Sequence, residues 1–540
     1  MLTRHLPLRE LQSIVPEDDL AMFSSVLYRI DPDLRYDPRT DKTFLSKIYD
    51  AYHGPRILSD NRCRKELLKY VPYDKMRKLA SELGLDTTGT FSEILERVNR
   101  KVTWGRNPET EFFLDFFGYP REYMPEPLAP LATRELVHLL SNPFKTLKDY
   151  QSGVFFRVTS LLDAPSARVM IQLPTGAGKT RTAMEIVSNF LANPRSPKNA
   201  KVLWLAHAEE LCTQATDSFV EVWEHIGSQH VPLYRCWGSH APELNPESPS
   251  ITIAGFRKMH NVKKSGAASP KFDLIVVDEA HMVLAPTFKA VVEWSKSNSG
   301  RIVGLSATPG RGSRSEIENA ELVEFFNDQI VGIDSGEEGA IEHLQGRGIL
   351  SRIDRETLNI NISFELTREE WEQLEEDLEY PQSFLKRVAE DHERNRIIVQ
   401  RLWELAEENR QVLVFAGSVR QSQLLCTMLL YKGYPCAHLD GTTPSEMRNA
   451  MITKFRRGEI HSLFNYEVLQ AGFDAPNIDC IFIARPTKSP VLYSQMIGRG
   501  LRGPSVGGTE NVLLVDVIDN IQDHSTMLDD VYDYFTDYWK

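Results

Sequence analysis

The stretch PTGAGKT at 174–180 gathers two glycines, a lysine and two threonines on one short turn. It follows the apolar run RVMIQL (168–173) and opens a helical pattern, TRTAMEIVSNFL. A strand, a Gly-rich turn and a helix N-terminus in that order make a cradle for phosphate. Gly176 and Gly178 let the backbone curl so that its N–H groups face an anion, with Pro174, Thr175 and Ala177 completing the loop. Lys179 offers a point charge for the β- and γ-phosphates of ATP, and Thr180 a hydroxyl ligand for Mg²⁺. Further along, DLIVVD runs into DEAH at 278–281. An acid at a strand end beside such a loop suits the metal. Asp278 is therefore expected to hold Mg²⁺ through water, and Glu279 to serve as general base on the attacking water. Kinases, switches and motors all share this chemistry, so the rest of the chain must decide among them.

The elements that would position these residues come in two sets. Short apolar runs recur at 168–173, 201–206, 250–255, 273–278 and 301–307, and again at 411–417, 436–440, 461–465, 479–485 and 511–517. Such runs separated by helical patterns predict parallel sheets covered on both faces. The expected class is α/β: two tandem parallel-sheet domains with a helical N-terminal region. The expected divisions are 1–140 (helical), 141–335 (first sheet domain, ATP-binding), 336–409 (connector with charged helices) and 410–540 (second sheet domain with an acidic C-terminal tail). MPEPLAPL at 124–131 reads as a linker, and the tail carries seven Asp from Asp516 onward against a single Lys540.

Composition excludes little else. Hydrophobic residues at 41% and charged residues at 25% are ordinary for a globular chain of 540 residues. No apolar run is long enough for a membrane helix. The six cysteines form no CxxC pair, which with the early acids at the N-terminus points to a reducing cytoplasm and no membrane. A net charge of −13 argues against indiscriminate coating of nucleic acid and leaves room for a local basic track.

Over residues 144–520 the chain resembles the superfamily 2 helicases, whose two sheet domains are RecA-like. The phosphate loop, with Leu173 where GxxxxGKT has its first glycine, is similar to their shorter form. FKTLKDYQ (144–151) resembles the adenine-side motif, implying Gln151 as the adenine contact. WLAHAEELCTQA (204–215), with His207, resembles the first nucleic-acid motif, and ITIAGFRKM (251–259) the next, with Gly-Phe-Arg where many relatives carry Thr-x-Gln. LSATPGR (305–311) resembles the Ser-Ala-Thr motif, so that Ser306 and Thr308, with His281, would couple the ATP site to the track. VLVFAGSVRQSQLL (412–425) resembles the motif at the second domain's first strand, and LDGTTPSEMR (439–448) a phosphate-contacting turn through Thr442. EVLQAGFDAPNID (467–479) puts Gly472 and Asp474 at the nucleotide, although relatives usually have Thr near Gln470 or Ala471. QMIGRGLRG (495–503) resembles the arginine-finger motif, with Gln495 coupling and Arg499 and Arg502 catalytic. A finger supplied by the second domain would make hydrolysis depend on closure of the cleft.

The spellings LKDYQ, AHAEEL, GFDAP and ARPTKSPVLYSQMIGRGLR resemble the DNA-directed branch, which holds RadD-like and XPB-like repair helicases and the motor subunits of restriction enzymes. DNA rather than RNA is the implied track, in DNA repair or antiviral defence, with a protein partner such as a nuclease among the expectations. YDKMRKLASELGLDTTGTFSEILERVNRK (73–101) resembles a SAP-type DNA-binding hairpin, with Lys75, Arg77, Lys78, Arg97 and Arg100 as phosphate contacts. Its surroundings, 60–101, carry ten Lys/Arg and seven Asp/Glu. A solvated basic face accounts for this equally well. Two further readings stay open: an ATPase that signals to a partner without separating strands, and an RNA helicase.

Overall fold

The structure is a computed structural model that describes residues 2–14, 17–30, 38–46, 58, 60–119, 121–124, 132–139, 145–193, 197, 199–243, 245–308, 316–336, 339–377, 379–469 and 477–521. The N-terminal part is helical: α1 (Leu8–Ile14), α2 (Glu17–Ile30), α3 (Asn61–Leu68), α4 (Tyr73–Glu82), α5 (Phe91–Lys101) and α6 (Pro108–Phe117). The first sheet comprises β1 (Arg134–Val137), β2 (Arg168–Gln172), β3 (Lys201–Ala206), β4 (Val231–Cys236), β5 (Ser250–Gly255), β6 (Phe272–Asp278), β7 (Lys296–Ser306) and β8 (Ile330–Val331). Its spatial order is β1-β4-β5-β3-β6-β7-β2-β8, parallel throughout except for β1 against β4. The inner strands are buried almost end to end, which is why they read as unbroken apolar runs. Helices α7 (Asp149–Leu162), α8 (Lys179–Ala192), α9 (Glu209–Ile226), α10 (Phe256–Lys264), α11 (Pro286–Ser295) and α12 (Glu316–Phe325) belong to the same domain.

After α13 (Ala340–Gly346) comes the second set: β9 (Arg352–Phe364), α14 (Arg368–Asp377), α15 (Gln382–Ala389), α16 (His392–Glu407), β10 (Val412–Phe415), α17 (Val419–Lys432), β11 (Cys436–Leu439), α18 (Ser445–Arg456), β12 (Ser462–Asn465), β13 (Cys480–Ile483), α19 (Pro490–Ile497) and β14 (Asn511–Ile521). The strands lie in the order β11-β12-β10-β13-β14-β9, all parallel. The chain thus has two parallel-sheet, RecA-like domains with a helical N-terminal region.

Two boundaries differ from the sequence reading. Residues 352–364, assigned to the connector, are an edge strand paired with β14 from Arg352 to Phe364, with a register shift between Ile360 and Ser363. As an edge it faces solvent over much of its surface, so its first half carries the charges of Arg352, Asp354, Arg355 and Glu356, and the alternation of Leu358, Ile360, Ile362 and Phe364 is confined to its second half. Residues 134–137, assigned to the helical region, are the antiparallel margin of the first sheet.

The N-terminal helices pack on the second domain. Their apolar residues share one core with α16 and α17, where Phe44 meets Tyr431 edge to face at 5.2 Å. Arg29 pairs with Glu393 at 2.9 Å, and His392 Nδ1 lies 2.9 Å from Ser25 Oγ. The 73–101 hairpin is closed by Met76, Leu79 and Ala80 facing Ile94, Leu95 and Val98, all buried. Thr90 caps α5 in a reciprocal box with Glu93. Thr90→Ala is expected to lower stability by about 1 kcal/mol, read as a shifted urea midpoint of the N-terminal helices. Among the described residues no helix is long and apolar enough to cross a membrane.

Candidate active site

The sheet order brings the three strand ends that matter side by side. β7 lies between β2 and β6, with Ser306 in register with Gln172 and Leu305 with Asp278. The phosphate loop, the DEAH segment and the Ser-Ala-Thr turn therefore emerge at one edge, where open parallel sheets bind ligands. In the loop, Gly176 has φ +86° and Gly178 φ +81°. A Cβ at Gly178 would run into Gln151 Nε2, so glycine is needed there for space as well as for backbone angle.

Gln151 is buried against this loop. Its Nε2 donates to the Ala177 carbonyl at 3.2 Å while its Oε1 accepts from Lys148 N at 3.0 Å. The neighbouring Tyr150 hydroxyl donates to the same carbonyl at 2.8 Å, and burial pushes its pKa up to about 12. The sequence reading missed Tyr150, whose only signal is its place beside Gln151.

Lys179 Nζ donates to the Leu173 carbonyl at 3.3 Å. Desolvation lowers its pKa from the usual lysine range, Glu279 and Asp278 pull it back up, and Arg499 lowers it further. Asp278, 7% exposed, sits well above the usual carboxylate range because burial and the adjacent Glu279 both disfavour its charge. Lys179, a hydrogen bond from Glu279 N at 3.1 Å, and Arg499 oppose this. A desolvated carboxylate crowded by a second acid is a site that a hard dication would relieve, and Thr180 in the first turn of α8 adds a hydroxyl. The residues present fit Mg²⁺. Glu279 itself has φ +51°, a left-handed conformation rare outside glycine, and its Oε2 lies 3.5 Å from His281 Nδ1. Ser306 Oγ donates to the Thr308 carbonyl at 2.6 Å and accepts from Thr308 N at 3.1 Å, so the buried turn between them is fixed.

Arg499 arrives from the other domain. It follows α19, which carries the half-buried Gln495, and its charge acts on both Lys179 and Asp278. The domains touch here: a Cβ at Gly498 would overlap the Thr175 side chain, and one at Gly176 would lie 3.2 Å from Leu350 Cδ2. Arg502 is held through its backbone, which pairs with Leu350 and accepts from Ser351 Oγ at 2.7 Å. Gly472 and Asp474 lie outside the described residues.

The nucleic-acid candidates are less uniform. His207 is exposed at the end of β3. Thr442 donates both its N–H (2.8 Å) and its hydroxyl (2.7 Å) to Asp440 Oδ1, so its O–H proton is already committed inside the turn. Lys75 Nζ lies 3.1 Å from His5 Nε2 and stands over Phe116 and Phe117. Arg97 donates to the carbonyls of Asp86 and Thr88, Lys78 pairs with Glu82, and Arg77 lies over Tyr73. Arg100 is exposed. The motif read at 251–259 runs into a basic helix: α10, FRKMHNVKK, has four Lys/Arg and no acid, and begins where β5 ends. Its Phe256 stacks on Phe288 at 4.4 Å, and Arg257 is exposed.

Residues 144–311 match the family profile described as Type III restriction enzyme, res subunit, and residues 393–503 that of the helicase conserved C-terminal domain. The chain is 25% identical over 372 residues to IRC3 of Saccharomyces cerevisiae, a protein named as an ATP-dependent helicase, covering 66% of this chain and 49% of that one. It is 26% identical over 391 residues to a Schizosaccharomyces pombe protein named as a mitochondrial ATP-dependent helicase, covering 71% and 59%. The chain thus spans about half the length of these curated relatives. Among solved structures it is similar to the ATP-dependent Type ISP restriction-modification enzyme LlaBIII bound to DNA, at 16% identity and TM-score 0.48, covering 73% of this chain and 29% of that one.

Proposed function

The chain belongs to helicase superfamily 2, and we propose that it is an ATP-driven motor on DNA, in which hydrolysis moves one sheet domain against the other. The observation that carries this is the contact between domains at Gly498 and Thr175, which sets the neighbouring Arg499 of the second domain beside the phosphate loop, where its charge bears on Lys179 and Asp278. A phosphoryl group between them is stabilised from both domains at once, so turnover needs a closed cleft and release reopens it.

ATP is the substrate. Lys179 and the loop N–H groups hold its phosphates, and Arg499 meets the charge that builds on the γ-phosphoryl group. Glu279, held in its left-handed conformation, orients water and takes its proton. Asp278 and Thr180 hold Mg²⁺, which when bound neutralises phosphate charge. The track runs over His207, α10 and the 440–443 turn, each of which follows the C-terminal end of a strand in its own sheet, with Arg257 as a phosphate contact. A DNA track, a role in repair or antiviral defence, a nuclease partner and a reducing cytoplasm belong to the same reading. It is supported by the motif spelling and by the restriction-enzyme profile over 144–311.

The test compares ATP turnover with single-stranded, duplex and forked DNA and with RNA, alongside displacement of a labelled strand. Stimulation by DNA with displacement is expected. Stimulation by RNA alone would overturn the choice of track, and stimulated hydrolysis without displacement would make the chain a signalling ATPase. Glu279→Gln should lower kcat by about 10² to 10⁴ and leave nucleotide affinity near native, by stopped-flow hydrolysis and fluorescent-nucleotide titration. Native turnover in that variant would remove Glu279 from the mechanism.

A further inference from the structure

Helix α17 and strand β11 are joined by two polar rungs. In the first, Ser422 Oγ lies 2.7 Å from His438 Nδ1. In the second, the Sγ atoms of Cys426 and Cys436 are 3.6 Å apart, and the Cys436 thiol also reaches the Cys426 carbonyl at 3.2 Å. The rungs are neighbours by geometry. Ser422 and Cys426 stand four apart on one helix face, and Cys436 and His438 two apart on one strand face. Accessibility divides the pair: Cys426 is 2% exposed, whereas Cys436 is half-buried on an edge strand.

We propose that Cys426 and Cys436 form a redox site that closes to a disulfide when the chain meets a hydroperoxide. The Cys436 thiolate attacks the peroxide: an S–O bond forms, the O–O bond breaks, and the distal oxygen leaves with a proton. The Cys426 thiolate then attacks the Cys436 sulfur, forming the S–S bond while hydroxide leaves and is protonated. Two thiols and one hydrogen peroxide give one disulfide and two waters, and a dithiol reverses the step by exchange.

The bond would have consequences beyond the two sulfurs. A disulfide is about 2.05 Å long, so the rung must shorten by roughly 1.5 Å. β11 pairs with β12 on one side only and is therefore the element that yields. His438 moves with it. Its Nε2 is 3.3 Å from Asp440 Oδ2, and Asp440 Oδ1 organises the turn through Thr442 N and Oγ. Closing the disulfide displaces that turn and weakens the hold on a nucleic-acid strand. This last link rests on the reading that the 440–443 turn lies on the track.

The experiment treats the full chain with hydrogen peroxide, with Cys63→Ser as background because Cys63 is exposed. Non-reducing peptide mapping should give a Cys426–Cys436 cross-link with the loss of two hydrogen atoms, reversed by dithiothreitol and absent in Cys426→Ser and Cys436→Ser. Affinity for a single-stranded oligonucleotide, by fluorescence anisotropy, should fall by about fivefold or more on oxidation, the low end of coupling between sites. Cys436→Ser should be indifferent to peroxide. Oxidation of Cys436 to a sulfinic acid with no cross-link would overturn the site. A cross-link with unchanged affinity would overturn the coupling. A chain that binds no DNA in either state would refute the track, while peptide mapping still decides the redox site.

Discussion

Arg499→Ala is expected to lower nucleic-acid-stimulated ATP turnover by about 10³-fold or more while leaving nucleotide affinity close to native. The guanidinium stands where it acts on the Lys179 ammonium and the Asp278 carboxylate, yet it is carried by the second sheet domain. Lys179 and the phosphate loop stay in place without it, so binding persists. What disappears is the charge that meets the γ-phosphoryl group as the cleft closes. Arg499→Lys should recover little, because an ammonium lacks the planar fork that spans two oxygens. Gly498→Ala separates closure from charge: it keeps Arg499 but sets a methyl against the Thr175 side chain, forcing the second domain away from the loop. A loss comparable to that of Arg499→Ala is expected, with the steady-state rate at saturating single-stranded DNA as the readout. Either variant working within a few-fold of the native rate would remove the interdomain finger from the mechanism.

What could be read from the chain depended on whether a residue's partners are local. The phosphate loop declares itself because strand, glycines and helix start are consecutive, and the inner strands because burial on both faces leaves them apolar. β9 did not, because an edge strand carries the charges of a solvated surface and pairs with β14, far along the chain. Thr442 illustrates a different limit. A threonine in a DGTT turn reads as a phosphate donor until Asp440, two residues back, is seen to take its proton. Lys75 is similar, since its basic character says nothing of the Phe116 and Phe117 rings beneath it. The left-handed backbone of Glu279 was equally out of reach, since a glutamate is not a residue type that favours φ +51°.

Arg394→Met is expected to destabilise the second domain by about 3 to 5 kcal/mol, the cost of stranding one member of a buried ion pair. Arg394 and Asp519 are 0% and 1% exposed and meet through two bonds, Nε to Oδ1 at 2.7 Å and an NH2 nitrogen to Oδ2 at 2.9 Å. The same NH2 nitrogen donates to the Ala484 carbonyl at 2.7 Å. One side chain thus ties the start of α16 to β14 and to the exit of β13. That exit leads into the segment that ends in α19 and Arg499, so the pair supports the finger at a distance. Removing Arg394 leaves the Asp519 carboxylate buried without a counter-charge. Replacing both, as Arg394→Met with Asp519→Leu, removes the orphan and should recover most of the loss. Urea unfolding followed by tryptophan fluorescence gives the ordering: native and double variant close together, single variant well below. If the single variant unfolded with the double, the pair would not lock α16 to the sheet, and ATP turnover in Arg394→Met should then be native. If the ordering holds, turnover in that variant should fall at temperatures where its first sheet domain is still folded, because Arg499 reaches the phosphates only from an intact second sheet.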